Sequence, residues 1–462
     1  MYDVLIIGSG PGGYVAAIRA AQLGLSTAVI EKSELGGVCL NWGCIPTKAL
    51  LKSAQAMYYA KNFKDYGFTI EGDVKPDIKA IVERSRGVAA GMSRGIEYLF
   101  KKNEVNVING FGKIIAKGEV EVTLQDGTKE VFKAKNIIIA TGSRANSLPF
   151  APIDGKKIIS YRQALVPESI PSSIAVIGSG AIGSEFAFFY RSLGSQVYLI
   201  EYLPSIVPLE DDEVSAQLSR SFRKMGMKVM TSAQVKSVDT KGENCRLTIE
   251  TKKGEEVIET QMVLSAVGVV ANIENIGIEE LNIVTEKGKI KVDNYYSTSV
   301  EGIYAIGDVI ATPALAHVAS AEAIVCVERI AGHSPKPLDY ANIPSCTYTS
   351  PEIASVGSTE RALKESGTDY KVGKFPFTAS GKATTSGERD GFVKLLTDPV
   401  SDKILGAHLI GANVTEMLSG IVTARTMGAT AKDIMGSIHP HPTMSEAIME
   451  AAAASHGEVI HI

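Results

Sequence analysis

One pattern occurs twice in the chain and fixes most of its architecture. Val4-Leu5-Ile6-Ile7-Gly8-Ser9-Gly10-Pro11-Gly12-Gly13 runs on through Leu23-Gly24 to Ala28-Val29-Ile30-Glu31. It recurs as Ala175-Val176-Ile177-Gly178-Ser179-Gly180-Ala181-Ile182-Gly183, continuing through Leu193-Gly194 to Tyr198-Leu199-Ile200-Glu201. Each copy reads as a buried strand, a G-x-G-x-x-G turn, a helix, a glycine stop and a second strand ending in an acid. The first glycine makes the tight turn, the second lets a pyrophosphate approach the backbone, and the third lets helix pack on strand. The helix N-terminus then faces the phosphates. Glu31, followed by Lys32, and Glu201 fall where a carboxylate can accept hydrogen bonds from a ribose diol. A carboxylate repels a 2′-phosphate, so Glu201 favours NAD over NADP. One such motif alone is weak; two in the same context predict two Rossmann-like dinucleotide-binding units.

The stretches between and after the copies extend the pattern. Helices are expected over 48–59 and 75–102, then strands over 105–112, 119–124 and 130–132. A separate buried strand, Asn136-Ile137-Ile138-Ile139-Ala140, ends in Thr141-Gly142-Ser143, a turn where backbone can approach a ligand. Met262-Val263-Leu264-Ser265-Ala266-Val267-Gly268 echoes it in the second copy, after alternating segments at 228–238 and 247–251. Gly302-Ile303-Tyr304-Ala305-Ile306-Gly307-Asp308 is an apolar strand with an aspartate at its carboxyl end, where ligands of open α/β sheets bind. A helix at 316–331 follows, with Cys326 on its apolar side as a core residue. From Pro344 the pattern changes to strands near Val356 and at 370–377, 391–397 and 404–410. Helices at 415–427 and 443–456 complete a separate α+β domain.

Within the first unit stands Gly36-Gly37-Val38-Cys39-Leu40-Asn41-Trp42-Gly43-Cys44-Ile45-Pro46-Thr47-Lys48. Residues five apart in a regular helix have Cα atoms about 8–9 Å apart, whereas a disulfide wants them within about 7 Å. If Cys39 and Cys44 pair, the segment is therefore a distorted helix entrance, with Gly36, Gly37 and Gly43 supplying backbone freedom. Pro46 suits the first turn of a helix from Thr47 to about Ala60. A thiol at a helix N-terminus with a lysine one turn on has its thiolate favoured, which describes a redox pair. The other readings are half of a zinc site and two buried structural thiols. Zinc would need a second close pair, and Cys245, Cys326 and Cys346 are scattered singly. Structural thiols would not need the glycine and proline setting.

At 462 residues the chain is too long for one core. Its net charge of −4 offers no electrostatic footprint for nucleic acid. No apolar run approaches the ~18–20 residues of a membrane span, and the first strand begins almost at Met1, leaving no room for a leader peptide. The expectation is a cytoplasmic protein, or one of the mitochondrial matrix if a presequence has been removed.

Near the end, Ser437-Ile438-His439-Pro440-His441-Pro442-Thr443-Met444-Ser445-Glu446 opens the last helix. The prolines stiffen the approach, so His441 is held at an entrance. A carboxylate orienting one ring nitrogen leaves the other as a general base, and Glu446 lies within reach if the chain turns at Thr443. The competing reading is a capping box, Thr443-x-x-Glu446, in which Glu446 merely satisfies backbone. His439 reads as a packed or exposed loop residue.

Taken together, these motifs resemble the flavin-dependent pyridine nucleotide–disulfide oxidoreductases over the full length of the chain. The resemblance implies an FAD-binding domain at 1–145 and an NAD-binding domain at 146–270. It further implies a central domain at 271–340 and a C-terminal dimerisation domain at 341–462. It implies FAD lined by Gly8, Gly10, Gly12, Gly13, Glu31, Lys32, Gly37, Val38, Cys39, Lys48, Gly112, Thr141, Gly142, Asp308 and Ala316. NAD would meet Gly178, Gly180, Ile182, Gly183, Glu201, Val235 and Gly268. Lys48 would lie near the flavin, paired with Glu185 on the first turn of the second unit's helix. His441 and Glu446 would serve the Cys39–Cys44 disulfide of the partner subunit in a homodimer. The implied reaction is oxidation of protein-bound dihydrolipoamide by NAD+. The implied partners are lipoyl domains and a peripheral subunit-binding domain of 2-oxo acid dehydrogenase complexes. The alternative is a glutathione-like disulfide or mercuric reductase of the same family. Such enzymes normally use NADPH, and the mercuric enzymes carry a C-terminal cysteine pair that this chain lacks. One departure is Gly268-Val269-Val270-Ala271-Asn272, where relatives carry Gly-Arg-x-Pro-Asn.

Overall fold

The computed structural model describes residues 1–462, and the chain divides into two compact units. One comprises Met1–Leu50, Lys79–Asn146 and Gly268–Leu338; the other comprises Leu51–Ile78, Ser147–Val267 and Asp339–Ile462. Both are α/β.

The first unit opens with β1 (Tyr2–Ile7), α1 (Pro11–Gln22) and β2 (Thr27–Glu31). The redox segment forms α2 (Gly37–Trp42) and the start of α3 (Cys44–Lys61). After α4 (Ile78–Lys102) come β3 (Asn106–Ala116), β4 (Glu119–Leu124) and β5 (Lys129–Ile139). β3, β2, β1, β5 and the strand Ile303–Ala305 lie side by side, all parallel. Val4 to Ile7 and all of β2 are buried, the near-continuous apolar reading of strands covered on both faces.

Some expected boundaries move. The segments at 130–132 and 136–140 are one strand, β5, which changes partner midway. Lys129 to Lys133 pair antiparallel with β4 in a polar extension, whereas Ala134 to Ile139 enter the buried sheet beside β1. The change from charged to apolar composition inside one strand looked like two strands. α4 starts at Ile78 rather than at Lys75, because a residue preceding a proline, here Pro76, is pushed out of the helical region. α3 starts at Cys44, so Pro46 sits inside its first turn.

The second unit repeats the arrangement. Lys228–Met230, Gln196–Ile200, Ser173–Ile177, Met262–Ser265 and Ile158–Ile159 form a parallel sheet in that order. The first strand of each copy is thus flanked by its second strand and by the strand leading to Gly142 or Gly268. An antiparallel sheet of Gln234–Asp239, Cys245–Thr251 and Gly254–Thr260 follows. Its last strand, rich in glutamate, was not anticipated. In the C-terminal part, Ser345–Thr347, Glu352–Gly357, Ile404–Gly411, Phe392–Thr397 and Lys371–Pro376 form an antiparallel sheet. Its core includes Phe375, Val393, Leu409, Leu418 and Ile448. Phe392–Thr397 is buried throughout, including Lys394, whose ammonium reaches Asp211 at 3.0 Å and Glu360 at 2.5 Å. Hydrogen bonds from Lys364, first, and Lys394 hold the Glu360 carboxyl down to about 2. No helix is long and apolar enough to cross a membrane.

Candidate active site

The two glycine turns are superposable in their chemistry. Gly8 and Gly178 have φ of 102° and 95°. A Cβ there would lie 2.4 Å from the carbonyl oxygens of Ala140 and Ala266 respectively. A Cβ at Gly13 or Gly183 would sit 1.9 Å from the carbonyl oxygen of Gly8 or Gly178, so helix and strand meet at backbone contact. A Cβ at Gly10 or Gly180, by contrast, would face open space. Those two residues cap α1 and the helix Ala181–Leu193 with no side-chain hydrogen bond. Two helix N-termini thus present unpaired N–H groups at a bare backbone, which suits a pyrophosphate.

The acids complete the likeness. Glu31 Oε2 accepts from Ser9 N–H at 2.9 Å and Ser9 Oγ at 2.6 Å, and its Oε1 accepts from Ser33 N–H at 2.9 Å. Glu201 does the same with Ser179 N–H at 3.0 Å, Ser179 Oγ at 2.7 Å and Leu203 N–H at 2.8 Å. A carboxylate has about four acceptor positions, so each keeps one for a ribose hydroxyl. Ile182 is exposed beside the second turn, whereas Val235 is buried in the apolar core of its unit.

Around the first turn the chain assembles a polar rim. Thr141 Oγ donates to the Asn272 carbonyl at 2.6 Å, and Asn272 Nδ2 returns to the Thr141 carbonyl at 3.0 Å. The strand Val269–Ala271 pairs with Ser143–Ala145, so the segment lacking the family's arginine and proline is held by ladder bonds. Asp308 accepts from Ser143 Oγ at 2.5 Å, and the Gly307 N–H donates to Glu322 Oε2 at 2.7 Å. Glu322 is wholly buried. Sequence reasoning missed it, since one acid on the helix Ala316–Ile330 carries no signal. Ala316 opens that helix, Gly112 packs on Ile30 and Ile7, and Lys32 lies over the Phe111 ring at 5.8 Å.

Cys39 and Cys44 form a disulfide with Cα atoms 4.7 Å apart. The expected break in the helix is real: α2 stops at Trp42, and Gly43 turns with φ −143° and ψ −116° before α3 begins. A Cβ at Gly43 would come 3.0 Å from the Val38 carbonyl oxygen. Cys44 opens an 18-residue helix, where a thiolate is favoured. Val38 is partly exposed beside the pair, and Lys48 lies one turn along α3. Residues of α4 grip this segment: Arg84 and Ser85 donate to the carbonyls of Ala49 and Pro46, and Arg86 to that of Asn41. The remaining cysteines lie apart. Cys245 and Cys326 are buried, and burial pushes both thiols up, which agrees with the core reading of Cys326.

In the second unit, His441 Nδ1 lies 2.8 Å from Glu446 Oε1. A carboxylate only accepts, so Nδ1 carries the proton and Nε2 is left as a base. Glu446 Oε2 also accepts from Thr443 N–H at 2.7 Å, while Thr443 Oγ donates to Pro440. Glu446 thus holds both the His441 ring and the Thr443 N–H, but the expected capping box does not form: Thr443 Oγ is spent on Pro440, and Ser445 stands at the helix N-cap without a side-chain bond. Burial works to raise the Glu446 carboxyl, but the Thr443 N–H and His441 hold it below the usual range. The helix itself starts at Glu446, not Thr443. His439 is a half-buried loop residue whose Nδ1 lies 3.0 Å from the Ser437 carbonyl oxygen. Glu185, the fifth residue of its helix rather than one of the first turn, is buried and accepts from Tyr348 N–H at 2.9 Å.

Known proteins match the chain along most of its length. Residues 2–323 match the pyridine nucleotide-disulphide oxidoreductase model, and residues 343–452 match the dimerisation domain of the same family. The chain is 48% identical to a dihydrolipoyl dehydrogenase of Rhizobium etli, over 100% of this chain and 99% of the relative. It is 44% identical to one from Bacillus subtilis, over 100% and 99%. The mitochondrial dihydrolipoyl dehydrogenase of Pisum sativum is 44% identical, over 100% and 92%. Among solved structures, LpdA from Mycobacterium tuberculosis superposes with a TM-score of 0.90 at 27% identity, covering 97% of this chain and 98% of that one.

Proposed function

Since the chain belongs to the pyridine nucleotide-disulphide oxidoreductase family, we propose that it is the enzyme that reoxidises protein-bound dihydrolipoamide at the expense of NAD+. The Cys39–Cys44 disulfide, set across a glycine break at the mouth of a long helix in a nucleotide-binding unit, carries this reading.

The residues present fit both cofactors. Gly8, Gly10, Gly13, Glu31, Thr141 and Asp308 would hold FAD; Gly178, Gly180, Gly183 and Glu201 would hold NAD. Bound FAD supplies the two-electron passage between the cysteine pair and NAD+. The protein's own share is thiol chemistry. The partner subunit's His441 takes the proton from one thiol of the dihydrolipoyl group at Nε2, and Glu446 stabilises the cation so formed. The substrate thiolate attacks Cys39, the Cys39–Cys44 bond breaks, and Cys44 departs as a thiolate favoured by the N-terminus of α3. The second substrate thiol then attacks the lipoyl sulfur of the mixed disulfide so formed and displaces Cys39, its proton passing to the departing Cys39 sulfur; the lipoyl disulfide closes and the enzyme's pair is left reduced. Lys48, one turn along α3, would set the charge near the flavin.

The protein acts as a homodimer through its C-terminal domain. Its protein partners are lipoyl domains and the peripheral subunit-binding domain of a 2-oxo acid dehydrogenase complex. Its compartment is the one in which those complexes assemble, the cytoplasm or the mitochondrial matrix. The test is an assay of the purified enzyme with lipoamide, glutathione disulfide and mercuric ion, each with NADH and with NADPH. Lipoamide with NADH should be clearly the best pair; any other ranking rejects the reading.

A further inference from the structure

The redox pair is divided between two helices joined only by Gly43. While the disulfide is closed, the sulfur–sulfur bond ties α2 to α3. Once it opens, the remaining covalent link is a glycine, the most permissive of joints. Both sulfurs must nevertheless return to bonding range in every cycle.

Contacts from α4 meet that need, because one helix holds both halves. On the α3 side, Arg84 Nη1 donates to the Ala49 carbonyl at 2.9 Å and Ser85 Oγ to the Pro46 carbonyl at 3.0 Å. On the α2 side, Arg86 Nη1 donates to the Asn41 carbonyl, and its guanidinium stacks 4.2 Å over the Trp42 ring. Ser93 Oγ reaches the Asn41 side-chain oxygen at 2.8 Å and the Leu35 carbonyl at 2.9 Å. Asn41 Nδ2 in turn donates to the Leu35 and Gly37 carbonyls at 2.9 and 3.1 Å, binding the far end of α2. Trp42 Nε1 adds a bond to Glu34 at 3.2 Å. None of these contacts uses a sulfur atom, so none depends on the disulfide.

We propose that α4 is a splint that keeps the Cys39 and Cys44 thiols in register when the pair is reduced, with the Arg86–Trp42 stack and the Ser93–Asn41 bond as its fastenings to α2. Arg86, Ser93 and Trp42 are then positioning residues. Their effect falls on the equilibrium in which the two cysteine thiols give two protons and two electrons to an external disulfide. One sulfur–sulfur bond forms in the enzyme and one breaks in the oxidant. That equilibrium measures the effective concentration of one thiol at the other. Loosening the splint lowers it and favours the dithiol. Were Arg86 acting only as a nearby cation, its loss would disfavour a thiolate and shift the balance the opposite way.

The inference rests on Cys39 and Cys44 being the working pair. To test it, the FAD-loaded homodimer is equilibrated at pH 7 with graded ratios of oxidised to reduced dithiothreitol. Samples are quenched in acid, and free thiols are labelled with a maleimide and counted by mass. For Arg86→Ala, one charge-assisted hydrogen bond and one cation–π contact are lost, so the midpoint should move to a ratio about tenfold more oxidising. Ser93→Ala should move it about threefold in the same direction, and Arg86→Lys should recover part of the loss. A midpoint within twofold of wild type in both Arg86→Ala and Ser93→Ala, or one moved toward the disulfide, overturns the splint. Should Arg86→Ala fail to fold, Ser93→Ala decides alone. A wild-type enzyme with no titratable pair would instead refute the redox reading itself, independently of the splint.

Discussion

Glutamine in place of Glu446 sets up a conflict that the geometry makes explicit. The two carboxylate oxygens each accept one hydrogen bond, Oε1 from His441 Nδ1 and Oε2 from the Thr443 N–H. Glutamine has one acceptor and one donor. If its oxygen faces the histidine, its NH2 group confronts the Thr443 N–H. Turned the other way, the NH2 group faces Nδ1, which must then be unprotonated, and Nε2 carries the proton and is lost as a base. The first arrangement leaves a donor without an acceptor, at about 1–3 kcal/mol, so the inactive tautomer should prevail by roughly ten- to a hundredfold. Losing the charge that stabilises the imidazolium removes a further factor of roughly ten to a hundred. The product is a fall of about 10²–10⁴ in kcat. The His441 side chain is 77 % exposed in the single chain, and water relieves part of the conflict, so the lower end is expected. Stopped-flow measurement of dihydrolipoamide oxidation by NAD+, at matched FAD content, gives the number. A Glu446→Gln enzyme within threefold of wild type would refute the orienting role.

Mixing inactive Cys44→Ser and His441→Ala homodimers and allowing subunit exchange should restore activity, up to about a quarter of the wild-type level per site at equal mixing; no recovery at all would count against a site shared between chains. Glu201→Gln should raise the kcat/KM ratio of NADP+ to NAD+ at least tenfold by removing a charge that repels a 2′-phosphate, and an unchanged ratio would take Glu201 out of the ribose site. Glu360 is held at about 2 in the folded protein against about 4.3 when unfolded. Its contribution to stability is therefore complete above the unfolded value and disappears as pH falls through the folded one. Thermal melts of wild type and Glu360→Gln should differ at pH 5 and converge toward pH 2; parallel curves across that window would contradict the assignment.

What was legible in the sequence was local and steric. Gly8, Gly13 and their counterparts announce themselves because no side chain fits against a carbonyl oxygen at their positions. The cysteine spacing foretold a break because a regular helix holds those Cα atoms too far apart. What escaped depends on partners distant in the chain. β5 was split in two because its neighbours change along its length. Gly254–Thr260 was missed because a glutamate-rich edge strand lacks the apolar alternation that announces a buried one. Arg84, Ser85 and Arg86 fall inside the expected helix with no signal of their own, since nothing local reveals that Ala49, Pro46 and Asn41 offer them carbonyls. At Thr443 the string Thr-x-x-Glu suggested a capping box, and only three-dimensional placement showed that Thr443 caps nothing while the Glu446 carboxylate meets both His441 and the Thr443 N–H.

The matched serine–glutamate clasps at the two crevices bear on how such a protein can evolve. Each acid is knotted to a buried hydroxyl and two main-chain amides, Ser9 with Glu31 and Ser179 with Glu201. Shortening or removing the acid strands three donors at once, two of them main-chain amides that no second substitution takes away, whereas an amide of the same length keeps one oxygen to accept from them. A lineage changing its coenzyme therefore passes most easily through glutamine at these two addresses.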